Sequence, residues 1–190
     1  MRTIFAFDTA TATGTCALVV DGEIAGERVV EARSVLAAAD ELVRAAGISP
    51  RDIDALVVGT GPGSFTSIRI ALATGRGLAL ALGIPAAGVS TFHAFAGGHP
   101  VIDARRGEVF TEGPSVGRPE ELDVAGKRLV GDGAVRYREL LEAAGAEIPP
   151  DADPAHIPAA HRLVDHAGDY GDADAIEPLY LRAPDAKPSR

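Results

Sequence analysis

Three short apolar runs separated by turn-forming residues open the chain. Residues 3–8, 14–20 and 24–31 are rich in β-branched, aromatic and small apolar side chains, and Asp21-Gly22 lies between the second run and the third. Asp-Gly between two such runs is a strong signal for a β-hairpin. The pattern therefore predicts an antiparallel three-stranded meander at the start of the chain.

A helical period begins after this meander. We predict an amphipathic helix with Ser34 as its N-cap and Gly47 at its end, because apolar side chains then recur at helical spacing. The predicted inward face consists of Val35, Leu36, Ala39, Leu42, Val43 and Ala46.

The next segment has the pattern of a β-α unit. A buried strand at 55–58 leads into a glycine turn, and an apolar helix runs from about Phe65 to Leu82. That helix is apolar nearly all round, which is typical of a helix buried between layers or against a partner chain. A strand at 86–89 and a short helix at 90–96 complete this half.

The second half of the chain is less regular. It predicts strands at 100–104, 107–111 and 128–131, and helices at 134–144 and 159–167. Gly97-Gly98 marks the expected boundary between lobes. We therefore expect a first lobe at 1–97, a shortened second lobe at 98–182 and a flexible tail at 183–190.

Charge and composition narrow the class of protein. The net charge of −9 works against autonomous nucleic-acid binding, since phosphate groups are neutralised by clustered Lys and Arg. The single cysteine, Cys16, leaves no internal disulfide and fits a buried strand position. The apolar run at 78–89 is interrupted and short, and residues 1–8 lack a signal-peptide pattern. We expect a cytoplasmic protein without a membrane-spanning segment.

Two segments are candidate phosphate sites. The glycine turn fits neither the P-loop, which has Lys after its last glycine, nor the dinucleotide fingerprint, which has Gly at the position of Ser64. A structural turn capped by Ser64 and a weak anion site both stay open. Asp8 is followed by Thr9, Thr11 and Thr13, which could hold a magnesium-bound phosphate, although a structural turn is favoured.

Other polar clusters carry less chemistry. Asp103 and Glu108 flank Arg105-Arg106 and resemble a carboxylate pair, but surface ion pairs are the favoured interpretation. His161 and His166 do not share a helical face, so we expect no metal site. Serine nucleophiles lack the G-x-S-x-G context of a hydrolase.

Several motifs in fixed order resemble one known family. They are residues 4–11 with Asp8-Thr9, the glycine turn Gly61-Pro62-Gly63-Ser64-Phe65-Thr66 followed by 67–70, residues 88–91, residues 103–110 and residues 177–182. Together they resemble the TsaB (YeaZ-like) family of tRNA threonylcarbamoyladenosine biosynthesis, within the actin-like ATPase superfamily.

The resemblance implies an α/β fold of two ribonuclease-H-like, actin-like lobes, of which the second is reduced. It implies a non-catalytic partner of TsaD, the subunit that transfers threonylcarbamoyl to N6 of adenosine 37 in tRNAs reading codons that start with A. TsaE, an ATPase, joins that assembly. The resemblance further implies a homodimer when the protein is alone, only indirect contact with tRNA, no cofactor or metal on its own, and ATP with Mg²⁺ only within the complex.

The family pattern also implies roles for particular residues. The helix opened by Gly61 to Thr66 is an interface element, with Ile68, Arg69, Leu72 and Arg76 as contact positions. Asp8, Thr9 and Thr11 keep the form of the superfamily's first phosphate loop. Five departures from the family pattern bear on partner choice: Ser67 and Ala71 replace usual glycines, Phe110 replaces a usual tyrosine, and both the segment from Gly97 to Pro100 and the second lobe are shortened.

Two rival functions stay open. An autonomous actin-superfamily ATPase or kinase would need a second phosphate loop, for which Gly131-Asp132-Gly133 is the candidate. A glycoprotease-like peptidase would need a nucleophile whose loss abolishes cleavage.

Overall fold

The structure, a computed structural model, describes residues 1–182 of the 190-residue chain. The flexible tail predicted at 183–190 lies outside the described residues. The strands are β1 (Thr3–Asp8), β2 (Gly14–Val20), β3 (Glu23–Val30), β4 (Ala55–Gly59), β5 (Ala86–Val89), β6 (His99–Arg105), β7 (Glu108–Thr111), β8 (Ser115–Gly117) and β9 (Leu129–Val130). The helices are α1 (Val35–Ala45), α2 (Phe65–Leu82), α3 (Asp132–Arg136), α4 (Arg138–Ala143) and α5 (His161–Asp165).

The first sheet has the strand order β3-β2-β1-β4-β5. Strands β1 to β3 form the predicted antiparallel meander, whereas β4 and β5 run parallel to β1. Alternate residues of β1 point to opposite faces, so Phe5 and Phe7 enter one core cluster while Ile4 and Ala6 enter another. Both faces of this sheet are therefore covered.

Helices α1 and α2 cover the same face of the first sheet. The predicted inward face of α1 is partly wrong, because Leu36 is 54% exposed and Ala38 is buried in its place. Ser34 precedes α1 as expected, but its side chain makes no capping hydrogen bond. The side chain of Ser64 does accept a hydrogen bond from the backbone N–H of Ser67, so the cap predicted for α2 is confirmed.

The second sheet repeats the topology of the first in shorter form. Its order is β8-β7-β6-β9, with β6 antiparallel to β7 and parallel to β9, as β1 is antiparallel to β2 and parallel to β4. Within residues 1–182 it has no counterpart of β5. Two α/β lobes with a reduced second lobe are therefore present, as predicted.

The end of the second lobe lies earlier than predicted. We expected residues 98–182 to form one unit. Ala160 and Leu163 instead pack on the far face of the first sheet, which is the face opposite α1 and α2. Gly171 forms a bridge with Ala86 of β5, and Ile176 enters the core beneath α2. The chain thus returns to the first lobe after residue 158. There it removes the apolar side chains of the far face from water.

Two helical segments differ from the sequence prediction. The helix predicted at 134–144 is broken at Tyr137, whose φ of −110° and ψ of 25° separate α3 from α4. The helix predicted at 159–167 is shorter and spans only His161–Asp165. Strand β8 has no counterpart in the sequence prediction, because three residues are too few to show an alternation of apolar and polar positions.

One helix within residues 1–182, α2, is long and apolar enough by length and composition to cross a membrane. The run-length argument from the sequence considered only the interrupted run at 78–89 and so left out residues 65–77 of this helix. This finding is weak evidence for a span, since core helices of soluble proteins meet the same criterion. In the structure α2 packs along β4.

Candidate functional site

Asp8 is fully buried at the end of β1. The hydroxyl group of Thr91 donates a hydrogen bond to Oδ2 at 2.6 Å, and the backbone N–H of Ala10 donates one to Oδ1 at 2.7 Å. Gly59 closes the remaining side, because a Cβ atom at that position would collide with the Asp8 carboxyl group. Burial raises the pKa of Asp8, and the two hydrogen bonds oppose that rise. Both carboxyl oxygens therefore have protein partners.

Thr9 and Thr11, the other two residues of the predicted phosphate loop, lie in different surroundings. Thr9 is buried, and its hydroxyl group donates to the carbonyl oxygen of Ser67 at 2.9 Å. Thr11 donates to the carbonyl oxygen of Thr13 at 2.7 Å and borders the cleft described below. Of the three candidate residues, only Thr11 lies at the cleft, because the side chains of Asp8 and Thr9 are turned into the protein.

The glycine turn holds the first lobe together at the start of α2. The backbone N–H of Ser64 donates to the carbonyl oxygen of Ala10 at 2.7 Å, and a Cβ on Gly63 would collide with that same carbonyl group. Gly61 has a φ of 100° and exchanges hydrogen bonds with Thr91. The glycines are thus required for close backbone approach, in agreement with the structural interpretation of this turn.

The structure corrects two of the four implied contact positions on α2. Ile68 and Leu72 are 1% and 5% exposed and belong to the core of the first lobe, so neither is available to a partner. Their burial follows from the position of α2 over β4.

The other two positions, Arg69 and Arg76, contact residues 174–180, where the chain has returned to the first lobe. The guanidinium group of Arg69 lies over the ring of Phe65 at 3.9 Å, and its Nε donates to the hydroxyl group of Tyr180 at 3.1 Å. Arg76 donates to the carbonyl oxygen of Ile176 at 2.9 Å and pairs with Asp174.

The outward side of α2 carries a different set of residues. At 100° per residue, five exposed positions fall within about 80° of the helix circumference. We call them the outer face of α2: Thr66, Ile70, Ala73, Gly77 and Leu80. Ile70 is 37% exposed and Leu80 is 87% exposed, and none of the five is charged.

A cleft of about 840 Å³ lies between the two lobes. Its walls come from the turn after β1, the start of α2, the turn between β6 and β7, the start of α3 and residues 179–182. The lining residues are Ala10, Thr11, Ala12, Gly63, Ser64, Phe65, Thr66, Ser67, Arg69, Asp103, Ala104, Arg105, Arg106, Phe110, Asp132, Leu179, Tyr180, Leu181 and Arg182.

Asp103 at the cleft and Glu108 next to it form ion pairs with arginines. Asp103 pairs with Arg105 at 3.2 Å and with Arg136 at 3.6 Å, and Glu108 pairs with Arg182. The ion-pair interpretation of Asp103 and Glu108 is confirmed, although Asp103 is more deeply buried than a surface pair.

Asp132 joins the lobes across the cleft. Its carboxyl group accepts hydrogen bonds from the backbone N–H of Asp103 at 2.9 Å and from that of Ala12 at 3.5 Å. Burial raises the pKa of Asp132, whereas these hydrogen bonds lower it. From the sequence alone, Asp132 is a candidate only as part of a possible second phosphate loop. Residues 179–182 were recognised as a family motif, but not as a wall of the site.

The histidines and serines have other partners. His161 lies 2.9 Å from Glu27, while the ring of His166 stacks on His93 with 4.2 Å between centroids. Ser90 donates to the carbonyl oxygen of Gly61. Across residues 1–182, no group of three or more His, Cys, Asp or Glu side chains is arranged to hold a metal ion.

Comparisons with known proteins identify relatives over most of the chain. A family model described as "TsaD: tRNA N6-adenosine threonylcarbamoyltransferase" matches residues 31–152. An uncharacterized protein of Mycobacterium tuberculosis is 36% identical over 213 residues, and the match covers 99% of this chain and 95% of that protein.

Relatives with assigned names match a shorter part. The tRNA threonylcarbamoyladenosine biosynthesis protein TsaB of Escherichia coli is 37% identical over 121 residues, and that of Bacillus subtilis is 33% identical over 122 residues. These matches cover 56% and 57% of this chain and 52% and 53% of the relatives, so each spans about half of either protein.

Among solved structures, YeaZ from Pseudomonas aeruginosa is similar with a TM-score of 0.79 and 27% identity, over 95% of this chain and 100% of that one. A second Pseudomonas aeruginosa structure, described as an uncharacterized protein with similarity to peptidase YeaZ, also gives a TM-score of 0.79, at 26% identity over 96% of this chain and 100% of that one.

The repeated sheet topology and the interlobe cleft define the class of protein as the actin-like ATPase fold, built from two ribonuclease-H-like lobes. Within that class, the matches to the family model, to TsaB proteins and to YeaZ place it more narrowly. The chain belongs to the TsaB/YeaZ family.

Proposed function

We propose that this chain is a non-catalytic subunit in tRNA threonylcarbamoyladenosine biosynthesis and that it supports a TsaD-type transferase. The transferase moves threonylcarbamoyl to N6 of adenosine 37 of tRNAs that read codons starting with A. The names of the TsaB relatives and the family-model match to TsaD support this role.

The main support for a non-catalytic role is the complete burial of Asp8. A carboxyl group that binds a metal ion or a reacting phosphate must reach the ligand. Asp8 is instead fully buried, with Thr91 and Ala10 as hydrogen-bond donors to its two oxygens. The cleft therefore lacks this carboxyl group, which supports a subunit that acts through its partner.

The outer face of α2 supports a docking role. Only 28% of the residues of this helix are buried, although most of them are apolar. Interfaces are depleted of charge at their centre, as this face is, and Ala73 and Gly77 allow a second helix to approach closely. The partner that we propose for this face is the corresponding helix of the TsaD-type subunit.

The wider assembly follows from the same proposal. A TsaE-like ATPase joins the complex, tRNA contacts this chain only indirectly, and the free protein forms a homodimer through the same helix. The protein acts in the cytoplasm and binds no cofactor by itself, whereas ATP and Mg²⁺ act at the level of the complex.

The test is a mixing experiment with the cognate TsaD-type subunit. Size-exclusion chromatography with light scattering should give a one-to-one complex for the wild-type protein. Ile70→Asp and Leu80→Asp should each abolish it, since a charge would be buried at the centre of an apolar contact. Leu140→Asp is the matched control, because Leu140 is 47% exposed on α4 in the other lobe.

Two results would overturn the proposal. One is the absence of a complex with wild-type protein under conditions where both subunits are folded. The other is tight binding of Mg-ATP to the isolated chain in calorimetry without any complex, which would favour an autonomous ATPase.

A further inference from the structure

The far face of the first sheet is covered by the part of the chain that returns from the second lobe. We call residues 159–171 the return segment. The side chains of Ala160 and Leu163 in it are fully buried, and Gly171 exchanges two backbone hydrogen bonds with Ala86 of β5. Helix α5 within it has only five residues. A helix this short is not stable by itself, so the return segment depends on its contacts with the first lobe.

Each end of α5 is held by a histidine. At the N-terminal end, Glu27 of β3 accepts a hydrogen bond from the backbone N–H of His161 at 3.2 Å, and its carboxyl group lies 2.9 Å from Nδ1 of the same residue. At the C-terminal end, the ring of His166 stacks on that of His93, with 4.2 Å between centroids and 19° between ring planes. His93 belongs to the short 3-10 helix Thr91–Ala94, which follows β5. One histidine of the return segment thus faces an acid, whereas the other faces a second histidine.

These two contacts respond in opposite ways to protonation. A proton on His161 makes its contact with Glu27 a pair of opposite charges. Protons on both His93 and His166 place two positive charges on stacked rings, which repel each other. Both rings of the stack are exposed, so protons reach them from the solvent. Acidification should therefore loosen the C-terminal end of α5 and not its N-terminal end.

The charged surroundings of the stack do not cancel this repulsion. Partial burial and the neighbouring His166 lower the pKa of His93, whereas Glu112, which follows β7, raises it. Glu112 also lies 3.5 Å from His99, so its charge is shared between two histidines. The 3-10 helix Thr91–Ala94 brings no other charged residue. The other charged residues of α5 are one acid and one base, Asp165 and Arg162.

The lowered pKa of His93 sets the direction of the effect. Because it lies below the ordinary value of 6.5, the undocked chain takes up a proton at a pH where the docked one does not. The contribution of the stack to docking is therefore complete above pH 6.5 and is lost as pH falls through the lowered pKa.

We propose that the stack of His93 and His166 is a pH-sensitive latch for the return segment. At neutral pH the stack holds residues 166–171 on the first lobe. On acidification it releases them, while His161 and Glu27 keep the N-terminal end of α5 in place. The proposal is independent of the role with a TsaD-type subunit.

Release changes one face of the first sheet only. Ala167 and Tyr170 pack against the apolar residues of the far face, and Gly171 bridges to Ala86. These contacts are lost together when residues 166–171 leave. The outer face of α2 is unaffected, because α2 covers the opposite side of the sheet.

The experiment is hydrogen exchange with mass spectrometry on the full chain at about pH 7.5 and about pH 5.5, with rates corrected for the intrinsic effect of pH on exchange. We expect the protection of residues 166–171 to fall at least about threefold at the lower pH, while β1 and β2 keep theirs. His93→Gln and His166→Gln should each remove most of this fall, because the repulsion needs two charged rings.

His161→Gln is the matched control, since it makes the same change on the same helix outside the stack. It should retain the pH response of residues 166–171. Thermal unfolding at neutral pH establishes that each variant is folded. An equal fall in the wild type and both stack variants would overturn the proposal, as would protection of residues 166–171 that does not change with pH.

A second measurement needs no variant. Titration of the histidine rings in the wild-type protein by NMR should give His93 a pKa below 6.5, as its partial burial and its neighbour His166 require. Titration of His93 at or above 6.5 would also overturn the proposal.

Discussion

Asp8 joins three segments of the first lobe through one carboxyl group. Its oxygens accept hydrogen bonds from Ala10 after β1 and from Thr91 after β5, while Gly59 at the end of β4 leaves room for it. Thr91 in turn accepts a hydrogen bond from the N–H of Gly61. A residue that resembles part of a phosphate loop thus fixes the start of α2.

Replacement of Asp8 by Asn should change how stability depends on pH. Burial raises the folded pKa of Asp8 above its ordinary value of 3.8, so the folded protein holds a proton that the unfolded chain has lost. The stabilising effect of this proton is fully present below pH 3.8 and is lost as pH rises through the folded pKa. Wild-type stability relative to Asp8→Asn should therefore fall by about 1.4 kcal/mol per pH unit within that window.

Urea unfolding of both proteins from pH 4 to pH 8 measures this difference. The control is Asp165→Asn, which makes the same change at an exposed carboxyl group at the end of α5, outside the core. A difference between wild type and Asp8→Asn that stays constant over this range would contradict the assignment of the shift to burial.

Helix α2 illustrates what a helix that is apolar nearly all round does and does not reveal in its sequence. Its approximate bounds and its Ser64 cap follow from sequence, because a cap has a local cause, and the structure adds Gly83 as its C-cap. Its buried side does not follow, since apolar residues occur nearly all round. The choice between Ile68 and Ile70 depends on contacts with β4, which are tertiary.

This difference gives a matched pair of substitutions on one helix. Ile68→Ala should lower the free energy of unfolding by about 2–5 kcal/mol, because it removes a fully buried side chain from the core. Ile70→Ala, two residues away, should cost less than about 1 kcal/mol in the isolated protein. Chemical denaturation of both variants measures this, and equal losses would refute the orientation of α2.

The candidate site is also only partly predictable from sequence, because it too depends on tertiary contacts. The sequence identified Asp8, the glycine turn and the acidic residues around Arg105-Arg106 as separate candidates. It could not assemble the cleft, because its walls come from segments as far apart as residues 10 and 182. It also could not show that Asp8 is sealed, since that depends on Thr91 and Gly59.

At the scale of the whole molecule, residues 177–182 link the two lobes. The N–H of Leu179 donates to the carbonyl oxygen of Thr60 in the first lobe, and Arg182 donates to the carbonyl oxygen of Ala104 in the second. Between them Leu181 packs with the aromatic cluster that includes Phe95. The reduced second lobe therefore depends on this segment for part of its apolar cover.

Leu181→Ser should loosen the second lobe more than the first. We expect a loss of about 1–3 kcal/mol in stability, because apolar contact between the lobes is removed. Hydrogen exchange should rise in β6 and β7 while β1 and β4 keep their protection. Equal acceleration in both sheets would contradict a link of this kind.

The return of the chain to the first sheet also has a consequence for synthesis. Strands β1, β2 and β4 are complete once residue 59 has been translated, yet Ala160 and Leu163 cover their far face. Until about a hundred more residues are translated, Ile4, Ala6, Ala17 and Val57 have no such cover. The nascent first lobe therefore presents a hydrophobic surface to chaperones while that stretch is translated.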